Sequence, residues 1–286
     1  MKAGVKDAIG TILGTKIKNV TPVSGGDISK AYLLHTASDT IFCKLNRAPT
    51  AKAMFAAEAE GLEAISATKT IKTPDIYTVE DLEAGACLLM EYVPPKRPGT
   101  KELEVLGAQL AGMHQISADY FGWEKSNFIG NLPQSNQKHD NWISFYIEER
   151  LSPQIQAAVN QKLLTKDDVP GIDRLQNVMN SYCPDIKPSL LHGDLWNGNF
   201  IVNESGVPYL IDPAVYFGDS EIDLSMSKLF GGFGAPFYNA YYEINASRQG
   251  EANRMAIYQL YYLLVHLNLF GKTYYGSVKE ILHAHF

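Results

Sequence analysis

The chain has 286 residues, 45% hydrophobic and 20% charged, which is ordinary globular composition and not that of a disordered chain. Its formal net charge is −6, from 25 Lys+Arg against 31 Asp+Glu, and the absence of a long basic run argues against a nucleic-acid partner. The scattered Cys43, Cys87 and Cys183 give neither a disulfide framework nor zinc spacing, and they fit a reducing cytoplasmic setting. The first sixteen residues are too short and broken in their apolar run for a signal peptide. The most apolar run, residues 255–270, is interrupted by Gln259, His266 and Asn268 and reads as a buried helix, not a membrane span.

In chain order, residues 16–23 read as a strand ending in the turn signal Ser24, Gly25, Gly26, Asp27. Residues 28–36 and 39–46 follow as an antiparallel pair. Residues 50–67 have a helical face of Met54, Phe55, Leu62 and Ile65, with Thr50 as its expected cap. Residues 75–80 and 85–93 read as two more strands, and "PPKRPG" at 94–99 breaks the pattern. The expectation is an α+β protein with a small five-stranded antiparallel lobe and one helix at 1–93. A larger, mainly helical lobe at 94–286 follows. Within it, 101–117, 141–164 and 165–182 read as helices, and 121–140 as a long polar loop. "LLHGDLWNGNFIV" (190–202) and "VPYLIDPAVYF" (207–217) then give two short strands near a turn, before helices return.

The chemistry concentrates in "LLHGDLWNGNFIV", residues 190–202. Asp194 and Asn199 have the spacing of a phosphoryl-transfer loop, in which a carboxylate takes the acceptor hydroxyl's proton and an amide oxygen reaches magnesium. Asp212 supplies a second oxygen ligand of the hard type magnesium prefers. Such a site also needs a strand lysine held by a helix carboxylate, and Lys44 and Glu58 lie on the expected third strand and the helix after it. Gly25 and Gly26 offer backbone N–H groups to phosphates or form a plain hairpin turn. His192 reads as a buttress of the loop, Asp223 as a partner for the loop's backbone, and Trp196 as either a sugar platform or a core plug.

These blocks, with "PVSGGDISKAYLL", "MFAAEAEGL", "IDPAVYFGDSEIDLS" and "LFGGF", resemble the fructosamine kinase (ketosamine-3-kinase) family, within the aminoglycoside-phosphotransferase-like branch of kinase folds. The resemblance implies a bilobal protein-kinase-like fold whose N-terminal lobe binds ATP and whose C-terminal lobe carries catalysis and the acceptor. It implies Asp194 as catalytic base, Asn199 and Asp212 as Mg2+ ligands, Lys44 on the ATP phosphates and Glu58 orienting Lys44. Met90, Glu91, Tyr92 and Val93 would form the hinge against adenine. The implied reaction is ATP-dependent phosphorylation of the 3-hydroxyl of ribulosamine, erythrulosamine or fructosamine adducts on lysine, a protein deglycation step. Where the family has Tyr-Gly-His, this chain has Phe217, Gly218 and Asp219, which puts Asp219 at the sugar pocket. The rival readings are a kinase of aminoglycosides, choline or another small alcohol, a nucleotide-binding pseudokinase, and a metal hydrolase built on His192 and Asp194.

Overall fold

The structure is a computed structural model and describes residues 1–23, 28–83, 85–183 and 185–286. The chain divides into two compact units. One comprises Met1–Arg97 and Ile201–Asp212, the other Pro98–Phe200 and Pro213–Phe286. A segment from deep in the C-terminal half thus groups with the N-terminal unit and brings Asp212 into it.

The first unit opens with helix α1 (Ala3–Ile12), which the sequence reading weighed only as a targeting segment. Strands β1 (Asn19–Val23), β2 (Lys30–His35) and β3 (Thr40–Asn46) precede helix α2 (Ala51–Ala67), and β4 (Ile76–Leu82) and β5 (Gly85–Glu91) follow it. They form one antiparallel sheet in the order β1-β2-β3-β5-β4. Side chains along a strand alternate between faces, and both faces of this sheet are covered. Cys43, Cys87 and Leu89 pack with Ile9 of α1, Ile17, Leu34 and Ile41 on one side. Ala86, Leu88 and Met90 pack with Ala51, Phe55, Ala59 and Leu62 of α2 on the other. The expected face of α2 is the one that is buried, with Met54, Phe55, Leu62 and Ile65 all inside. Thr50 does not cap it through its side chain. Its backbone is already helical (φ −85, ψ −2), so the hydroxyl meets Met54 Sδ instead of an N–H of the first turn. Strand β6 (Pro95–Lys96) ends the N-terminal stretch of this unit.

The second unit begins with α3 (Thr100–His114). The span read as a loop, 121–140, contains a small hairpin of β7 (Asn127–Ile129) and β8 (Leu132–Gln134). Its polar residues were misleading because they are internal links: Gln134 Nε2 donates to Asn127 Oδ1 at 2.8 Å, and Asn127 Nδ2 to the Val215 carbonyl at 2.8 Å. The helix expected at 141–164 is segmented into α4 (Trp142–Phe145), a π-helical turn (Tyr146–Leu151) and α5 (Ser152–Asn160). Past Pro170, α6 (Ile172–Tyr182) resumes. Strand β9 (Ser189–Leu191) enters the His-Gly-Asp loop, and β10 (Phe200–Asn203) leaves it. β10 pairs with β6 and with β11 (Pro208–Leu210). Strand β12 (Tyr216–Gly218) returns antiparallel to β9. Helices α7 (Glu221–Leu229), α8 (Ala235–Ile244), α9 (Glu251–Phe270) and α10 (Tyr275–His285) complete the chain. Helix α9 is largely buried in the core, as its composition predicts. Among the described residues, no helix is long and apolar enough to cross a membrane.

Candidate active site

Lys44 lies between Cys43 and Leu45 on β3, so the strand's alternation turns it away from the α1 side and toward α2. Glu58 lies four residues after Met54 and four before Leu62, on the buried stripe of α2. The two meet: Lys44 Nζ donates to Glu58 Oε1 at 2.7 Å, with side chains only 12% and 15% exposed. Asp212, with a left-handed backbone (φ 55), also accepts from Lys44 Nζ and is 39% exposed. One ammonium thus serves two carboxylates. Burial alone would lower the pKa of Lys44, but the Asp212 and Glu58 charges outweigh it and hold the ammonium above its ordinary value. Burial pushes Glu58 up to about 7, with Lys44 opposing and Asp212 adding to the rise. Asp212 is the more exposed carboxylate and the one able to turn to a ligand while Glu58 keeps Lys44 in place.

In the second unit, the loop from His192 to Asn199 is bonded along its backbone. Asp223 of α7, fully buried, accepts from the His192 N–H at 2.7 Å and the Gly193 N–H at 2.8 Å. His114 of α3 meets the same carboxylate through Nε2 at 3.1 Å and Tyr241 through Nδ1 at 2.8 Å. The Tyr262 hydroxyl donates to the Gly193 carbonyl at 2.8 Å, and the Ala214 N–H to the His192 carbonyl at 2.8 Å. Gly193 is obligatory: its φ is +82, and a Cβ would stand 2.1 Å from the Ala214 carbonyl oxygen. Asp223 therefore has the backbone role its position suggested. His114, Tyr241 and Tyr262 were missed, because nothing in a helix sequence marks a buried residue that reaches a loop far away in the chain.

This scaffold presents Asp194, partly exposed. Asn199 Nδ2 donates to the Asp194 carbonyl at 2.7 Å and to its Oδ2 at 3.1 Å. The amide nitrogen is thereby committed, and Oδ1 remains as the hard oxygen that magnesium would use. Asp212, in the first unit, is an oxygen donor of the same hard class. His192 is wholly buried, and its Nδ1 accepts from the Asp194 N–H at 3.2 Å. It buttresses the loop, and the described residues contain no cluster of three or more His, Cys, Asp or Glu suited to a metal.

Trp196 is 39% exposed, so it is no core plug. Its ring lies over Gly198, where a Cβ would come within 2.4 Å of it. Asp219 is corrected: it is 1% exposed, with Oδ1 held by Arg248 and Oδ2 by the Tyr258 hydroxyl at 2.7 Å. It is a framework residue and does not face a sugar. Glu91 closes β5 and Met90 before it has its side chain in the core, while Tyr92 and Val93 lie beyond the strand. Gly25 and Gly26 lie outside the described residues.

The family model for fructosamine kinase matches residues 1–286. The chain belongs to the fructosamine kinase family. A probable ketoamine kinase of Enterococcus faecium is 39% identical over 92% of this chain and 94% of its own. The chloroplastic protein-ribulosamine 3-kinase of Arabidopsis thaliana is 37% identical over 94% of this chain and 82% of its own. A solved Haemophilus somnus chain assigned to fructosamine-3-kinase superposes with a TM-score of 0.88 at 27% identity, covering 98% of this chain and 96% of that one. A thermostable aminoglycoside phosphotransferase variant in ternary complex with ADP and hygromycin B is 15% identical, with a TM-score of 0.66 and 99% of each chain covered, and it bears on the fold alone. This kinase has the α+β kinase-like fold, and it transfers phosphate to an alcohol.

Proposed function

We propose that this kinase uses ATP and magnesium to phosphorylate the 3-hydroxyl of ketosamines, ribulosamine or erythrulosamine or fructosamine adducts on lysine, as a cytoplasmic deglycation step. The observation that carries the reading is the Asp194–Asn199 pair, held on a loop whose backbone is bonded to a buried carboxylate. The names of the Enterococcus and Arabidopsis relatives support the acceptor class.

In the reaction, the sugar hydroxyl oxygen forms a bond to the terminal phosphorus of ATP. The bond from that phosphorus to the ADP oxygen breaks, and the hydroxyl proton passes to Asp194. Asn199 orients the Asp194 carboxylate through Nδ2. Magnesium, when bound to Asn199 Oδ1 and Asp212, would neutralise phosphate charge. Lys44, kept protonated by its carboxylate partners, steadies the phosphates, and Glu58 holds Lys44. The residues after β5, Tyr92 and Val93, offer backbone groups to adenine outside the sheet ladder. Because Trp196 is exposed two residues beyond Asp194, it supplies an aromatic face for the sugar.

The test is a purified-enzyme assay with ATP, magnesium and a ribulosyl-lysine derivative, with the product mapped by phosphorus NMR. A 3-phosphate is expected. Asp194→Asn should lower kcat by about a thousandfold or more while leaving ATP binding measurable. Near-wild-type turnover by that variant, or transfer to aminoglycosides and to no ketoamine, would overturn the assignment.

A further inference from the structure

Trp196 is the first ring of a row. Its edge meets Phe230 at 6.5 Å between centroids, Phe230 meets His266 at 4.8 Å, and His266 meets Phe270 at 5.5 Å and Tyr274 at 5.1 Å. All five belong to the second unit. Core aromatics are expected to be buried, yet this row is exposed at both ends, Trp196 at 39% and Phe270 at 48%.

The row is tied to the catalytic loop. Tyr262, His266 and Phe270 are spaced by four on α9 and share one face. Tyr262 holds the Gly193 carbonyl, next to Asp194, so the helix that carries the row also fixes the loop. His266 gives Nδ1 to the Tyr262 carbonyl at 2.8 Å, which settles its ring orientation. Burial lowers the pKa of His266 despite that bond, so at neutral pH the ring is an uncharged aromatic and does not repel a cation.

We propose that the row from Trp196 through Phe230 and His266 to Phe270 and Tyr274 is the docking track for the amine side of the acceptor, holding its protonated secondary amine and alkyl stem. The inference rests on the ketosamine-kinase reading. A ketosamine is a sugar joined to a secondary amine that is cationic at neutral pH. When the 3-hydroxyl is at Asp194 and the sugar at Trp196, the amine and the methylenes behind it must leave along some surface. Aromatic faces attract such a cation and cover such a stem. An aromatic row that begins at Trp196 and ends in solvent meets both needs, and its open end leaves room for the rest of a peptide or protein.

The track predicts selectivity for the amine side independent of the sugar. The experiment compares kcat/KM for the ribulosamine of Nα-acetyl-lysine amide with that of methylamine, which has the same sugar and no stem. The wild type should favour the long-stem substrate by about tenfold or more. Phe270→Ala and Phe270→Leu should each shrink that ratio severalfold, chiefly through KM for the long-stem substrate. Ile172→Ala, an exposed change on α6, should keep the wild-type ratio. The leucine variant retains apolar volume and decides the matter if the alanine variant folds poorly. A wild-type ratio near one, or a ratio unchanged in both Phe270 variants, overturns the track while leaving the kinase assignment standing. A wild type that phosphorylates neither substrate overturns the functional reading itself.

Discussion

Lys44 and Asp194, the basic and acidic residues of the proposed site, are held in opposite ways. Lys44 is fixed through its side chain: its ammonium donates to, and pairs with, two carboxylates, one of them partly exposed. Asp194 rests on a backbone whose N–H and C=O groups are bonded to Asp223, Tyr262 and Ala214. The first arrangement can exchange a partner, since Asp212 is 39% exposed while Glu58 is 15% exposed. The second cannot yield without leaving buried N–H groups unpaired. Charge that must meet a ligand is held by side chains, and geometry that must not drift is held by main chain.

The strongest way to break this contrast is Asp223→Ala. It strands two backbone donors and His114 in the core, so a loss of about 3–5 kcal/mol is expected, read by urea denaturation. A variant as stable as the wild type would mean that the loop does not need its buried carboxylate. Lys44→Met tests the other arrangement. Stability should fall by about 3 kcal/mol, because Glu58 is left buried without its cation. Its kcat/KM for ATP should still fall about a hundredfold.

The smallest effect is in pH. Glu58 is raised from its ordinary value of 4.5 to about 7, so between these values the folded state binds more protons than the unfolded chain. The stability this contributes is fully present below pH 4.5 and lost as pH rises through 7. Between pH 5 and 8 the wild type should therefore lose about 1–3 kcal/mol relative to Glu58→Gln, measured by denaturation without nucleotide. A constant difference across that range would show that Glu58 is ionised throughout and that the ion pair with Lys44 dominates its burial.

Much of the site was legible because its spacing is local. Strand alternation sets the side of β3 on which Lys44 lies, and helical periodicity favours Glu58 over Glu60, two residues around the turn. The five strands and α2 follow from the same two periods. Helix α1 was unread because its role, covering the second face of the sheet, is visible only once both faces are known to need cover. The β7–β8 hairpin was unread because polar residues were taken as exposed, whereas Asn127 and Gln134 are buried and bonded. Asp219 was taken toward a sugar because it stands where the family has a histidine, but Arg248, from the segment before α9, and Tyr258, from α9, claim both its oxygens.

The sequence by itself determined the periodic elements, the oxygen-rich residues of the candidate site and the family, because each is a matter of short spacing and side-chain chemistry. Only the tertiary structure decided that Asp212 stands with Lys44 and Glu58, that His114 and Asp223 hold the loop that begins at His192, and that Trp196 begins an exposed aromatic row. Those are pairings between residues tens to more than a hundred positions apart, and burial and hydrogen bonding choose such partners by position in space, which no local pattern records.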